Sequence, residues 1–158
     1  MIWVLAALGV LAGAYALIGN ESTAPQQQRA SSMALATNMS AYRQAVAAFA
    51  LANPSFTGSV PAASLTPLLG SSVANPMWRN YVQPNTDIAG SLIVIYATTA
   101  AAGAAVVGME QLAQGSAMAG IALGATIVSP GNPAVPLPAA LVNVIPNGMP
   151  VWMGQIYE

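Results

Sequence analysis

The chain has 158 residues, of which only 4% are charged: Arg29, Arg43 and Arg79 against Glu21, Asp87, Glu110 and Glu158. An ordinary soluble domain carries about 25%, so part of this surface is expected to face lipid or other proteins. Three arginines cannot track a phosphate backbone, which excludes nucleic acid as a partner. The absence of cysteine removes disulfides, thiolate metal sites and a Cys nucleophile.

The first element is an uncharged apolar run over residues 2–18. At the helical rise it covers roughly 25 Å, the short end of what crosses a bilayer core. The reading adopted is a membrane-spanning helix anchored by Ile2, Trp3, Leu5, Leu8, Leu11, Tyr15, Leu17 and Ile18, with the two aromatic rings at headgroup level. A cleaved signal peptide, with Ala14-Tyr15-Ala16 as the cleavage site, and a buried core helix are the competing readings. No Lys or Arg precedes the run, which argues against the signal peptide. Charge bias leans to an N-terminus inside and the rest of the chain outside. Gly9 and Gly13 form a GxxxG pair suited to close helix contact in lipid, although Gly and Ala abound throughout.

Residues 20–24 read as a joint, with Pro25 in the first turn of a second helix that ends at Asn53-Pro54. Leu35, Met39, Tyr42, Val46 and Phe49 recur at spacings of four and three, forming a seam on one face of it. The seam suits packing on the protein's own sheet; a coiled-coil contact with a partner is the sharper alternative, with too few heptads behind it.

A turn-rich stretch over 55–75 follows, then a short strand over 77–82 and a central apolar strand over 91–98. Residues 100–114 read as an Ala-rich helix stopped by Gly115. Residues 118–128 alternate as one strand, with Gly120, Ala122, Gly124 and Thr126 on a face open to another backbone. A Pro-rich loop, a turn at Pro146-Asn147-Gly148 and a last strand over 151–157 complete the chain. The pattern predicts an α+β fold: the long amphipathic helix laid on a small, mostly antiparallel sheet. The domains follow as a membrane helix over 1–19 and one extramembrane domain over 20–158.

Chemistry has little to draw on. No His, Cys or Lys exists to serve as proton shuttle, thiolate or Schiff base. Asp87 and Glu110 are separated in sequence, and solvated loop and helix charges explain them as well as a paired site does. There is no phosphate-binding glycine motif and no plausible metal ligand set. Neither catalytic residues nor metal ligands nor cofactors are expected, and no small-molecule substrate.

Tyr42-Arg43-Gln44-Ala45-Val46, then Asn53-Pro54, Phe56-Thr57-Gly58 and Val60-Pro61, resemble the first half of the PilM family. Trp78-x-Asn80-Tyr81-Val82 and Ile145-Pro146-x-Gly148 fit its later part. The resemblance implies a non-enzymatic inner-membrane component of the apparatus that assembles the type IVb (thin) pilus of conjugation. Its domain would be periplasmic, and its partners would be pilus-assembly proteins or further copies of itself. The alternative is an atypical pilin or minor pilin packed in a filament. Against it, position 5 is Leu5 where pilins carry Glu, no basic leader precedes Met1, and the first acid is Glu21.

Overall fold

The computed structural model describes the backbone of residues 2–86 and 88–157, and side chains within the same ranges from residue 24 onward. Helix α1 (Ile2–Ala52) is followed by a single turn, α2 (Ala62–Leu65), and strands β1 (Trp78–Pro84) and β2 (Ser91–Ala97). A 3-10 stretch (Ala100–Ala105) leads into α3 (Val106–Leu112). Then come β3 (Ala119–Leu123), β4 (Thr126–Val128), β5 (Val135–Pro136) and β6 (Pro150–Ile156). Among the described residues the strands form one six-stranded sheet in the order β1-β2-β6-β3-β4-β5. Every neighbouring pair in it is antiparallel. The fold is therefore α+β, a long helix on an antiparallel sheet.

Both faces of the sheet are covered. On one, α1 and α3 bury Met39, Val46 and Met109 against Trp78, Ile93, Ile95 and Trp152. On the other, the chain after β5 folds back and buries Leu137, Leu141 and Ile145 against Val94, Tyr96, Val151 and Met153. Strand β2 explains this sequence pattern: its apolar run reads on both faces because both are dry. The C-terminal strand β6 sits between β2 and β3, so the last residues of the chain close the sheet.

Three expectations are corrected. Pro25 does not open a second helix; α1 runs through it without a break. A proline inside a helix removes one backbone hydrogen bond, and Pro25 itself is exposed. Residues 118–128 are not one strand but a hairpin, with Leu123 opposite Thr126. Gly124 at φ 58 supplies the positive dihedral that a two-residue turn needs at its first position. Ala122 and Ile127 thus share the buried face, while Leu123 is exposed. The helix over 100–114 is shorter and divided, 3-10 up to Ala105 and α only over Val106–Leu112.

No helix among the described residues is long and apolar enough to cross a membrane. The side chains of the anchor read over residues 2–18 (Ile2, Trp3, Leu5, Leu8, Leu11, Tyr15, Leu17 and Ile18) lie outside the described residues, as do those of the GxxxG pair Gly9 and Gly13.

Candidate interaction surface

The seam on α1 is placed as follows: Met39, Tyr42 and Val46 are buried, and Leu35 and Phe49 are partly buried against the same core. Phe49 also meets Phe56 edge to face, with ring centroids 5.1 Å apart. The stripe begins earlier than the large residues suggest, at Ser32 and Ala36, both buried. These small residues let α3 come close. A Cβ added to Gly108 would stand 2.7 Å from the Ser32 carbonyl oxygen and 2.9 Å from the Ala36 Cβ. The Gly108 N–H donates to Ser32 Oγ at 3.0 Å. The only local signal is the four-residue spacing of two small side chains, Ser32 and Ala36, which places them on one helix face.

Two asparagines tie loops to this helix. Asn80, buried on β1, accepts from the Val60 N–H at 2.6 Å. Its Nδ2 donates to the Val60 carbonyl at 3.1 Å and to the Tyr42 hydroxyl at 2.7 Å. Asn38 accepts from Trp78 Nε1 at 3.0 Å and from the Asn75 N–H at 2.9 Å, and donates to the Val73 carbonyl at 2.7 Å. Its amide thus ties the segment leading into β1 to α1 at three points.

Gly58, at φ 121, bridges to Val82, exchanging bonds of 2.8 and 2.9 Å. On the far face, the Gly148 N–H donates to the Ala122 carbonyl at 2.8 Å, and Asn147 accepts from the Gly124 N–H at 2.8 Å. Each of these residues holds one backbone segment to another.

Two grooves open where α1 passes α3. A groove of 310 Å³ lies between Pro25, Gln28, Arg29 and Ser32 on one side and Gly103, Ala104 and Val107 on the other. A second, of 270 Å³, opens on the opposite side of Val107. Val107 forms the ridge between them and is 57% exposed. Neither groove contains a carboxylate, and no group of three or more His, Asp or Glu stands together among the described residues. Glu110 lies on α3, while Asp87 is outside the described residues, so no pairing of the two is defined. What the arrangement offers chemically is two grooves lined largely by small and apolar residues, with Arg29 the one charged residue in their lining.

The fold defines an α+β domain, a long helix laid on an antiparallel sheet. The family model that matches is PilM, over residues 7–153, and the chain belongs to that family. Membership ties its function to pili. No curated protein and no solved structure matches the chain.

Proposed function

We propose that this chain is a non-enzymatic component of a type IVb (thin) pilus assembly apparatus, held in the bacterial inner membrane by residues 2–18 with its domain in the periplasm. It acts by binding other assembly proteins, without cofactor, metal or small-molecule substrate. The observation that carries the reading is where the family-like residues sit. Tyr42, Val60, Asn80, Gly58, Val82, Ile145 and Gly148 all build the domain, and none is left over as an acid, base or nucleophile. A catalytic site would need such groups; an assembly module needs only a stable shape and a dry surface.

The test removes two of the four acidic side chains. Asp87→Asn with Glu110→Gln, in a strain lacking the native copy, is expected to leave pilus assembly within about twofold of wild type, since neither acid has a partner type with which to catalyse. A folded, membrane-bound double variant that makes no pili would overturn the non-enzymatic reading.

One observation favours a second reading, an atypical pilin or minor pilin. Helix α1 runs without interruption from Ile2 to its packed half over the sheet, the helix-then-sheet plan that pilins share. In that case the protein would be recovered within filaments.

A further inference from the structure

Arg43 projects from α1 onto the middle of the sheet. Its guanidinium carbon lies 5.1 Å from the Trp152 ring centroid on β6, a cation–π contact. A Cβ at Gly154 would collide with Nη2, so the guanidinium fills the space where a side chain would stand. Nε is buried without a hydrogen-bond partner. Burial pulls the Arg43 pKa below its usual range. For a base that shift is a cost of folding, present at every pH where the group is protonated and relieved only above its folded pKa. A chain with so few charges keeps one of them half inside its domain and, among the described residues, unneutralised.

The backbone beneath it is open on one side. Strand β6 pairs with β2 along residues 151–156, but β3 pairs with it only from Trp152 back to Pro150. The Met153 N–H still reaches the Met118 carbonyl at 2.8 Å. Two residues further, Gln155 points its N–H and carbonyl the same way, and no described backbone meets them. Each outer edge is interrupted: Gly58 bridges β1 at Val82, and β5 is two residues long and ends in Pro136. The open edge and the unneutralised cation therefore coincide over Gly154.

We infer that this notch binds an extended segment of a neighbouring assembly protein, which adds a strand along residues 154–156 and sets a carboxylate against Arg43. Main-chain bonds to Gln155 give affinity with little sequence demand. The carboxylate gives selectivity, because it alone neutralises a guanidinium that the domain has already desolvated.

The experiment uses the full chain in cells that build the pilus, with Arg43→Met and a photo-crosslinking residue at the exposed Gln155. Only the pilus readout rests on the assembly role proposed above; crosslinking does not. Arg43→Met is expected to fold and to melt no lower than wild type, since an apolar replacement of an unpaired buried charge is usually neutral or stabilising. Its pilus yield should fall at least about tenfold, the size expected when a desolvated charge pair loses one partner. The crosslink should map to a segment bearing Asp, Glu or a chain terminus, and should vanish in Arg43→Met. Normal assembly by the folded variant, a crosslink to a segment without a carboxylate, or no crosslink at all would each overturn the inference. So would an unfolded Arg43→Met, because the charge would then belong to the fold. Loss of pili from the null strain combined with normal assembly by Arg43→Met would sink this inference alone and leave the assembly role standing.

Discussion

Asn80→Ala should lower the melting temperature of the domain by more than about 10 °C. The substitution removes both partners of Val60, the N–H at 2.6 Å and the carbonyl at 3.1 Å, together with the acceptor-side neighbour of Tyr42. Each is buried, so water cannot replace the lost bond, and an unsatisfied buried group costs about 1–3 kcal/mol. Together they amount to on the order of 3 kcal/mol or more, a large share of the 5–15 kcal/mol that holds a small domain. In a domain of this size each kcal/mol moves the midpoint by about 4 °C. Tyr42→Phe loses only one of the three contacts and should cost roughly 1 kcal/mol. If thermal melts show Asn80→Ala within about 2 °C of wild type, the loop at Val60 has found another partner and the node is not what orders it.

The second large effect is expected at Gly108. Gly108→Leu must push α3 away from α1, because even the first carbon would stand 2.7 Å from a backbone oxygen that cannot rotate aside. Overpacking of this kind costs about 1–3 kcal/mol, and here the bond from Gly108 to Ser32 is broken as well. Gly103 is the internal control. It lies on the same connection, yet a Cβ there meets nothing within 4 Å, so Gly103→Ala should be neutral or slightly stabilising. Equal melting of the two variants would mean that α1 and α3 are not in the close contact described. The two positions also face different grooves: Gly103 and Ala104 line the one of 310 Å³, and Gly108 lines the one of 270 Å³.

The sequence carried the scaffold further than the details. The seam of Met39, Tyr42 and Val46 was visible because large apolar residues at helical spacing have one economical use. Strand β2 was visible because seven residues without a charge in a chain of short elements read as buried on both faces. What stayed hidden depended on contacts distant in sequence. Nothing local at Gly108 announces Ser32, 76 residues away. Arg43 reads as a polar residue beside the seam until β6 is found beneath it, since the C-terminal strand inserts in mid-sheet. The hairpin at Gly124 was missed for a different reason: its residues alternate smoothly, and the glycine was counted with the small residues of one face rather than as a turn. Pro25 misled because local propensity ends helices there, whereas an exposed proline can be tolerated within one.

The central claim, an assembly component held at the inner membrane, is tested most directly by where the full-length protein is found. Cells carrying the complete pilus system are sheared, and inner membrane, outer membrane, soluble fraction and pili are separated and probed for the chain. The reading predicts recovery in the inner membrane with residues 2–18 still attached, and displacement from it by Leu11→Arg, since a charge at mid-span costs about 2.5–3.5 kcal/mol on insertion scales. Recovery along the length of sheared pili, or as a soluble product that begins near Leu17, would contradict it.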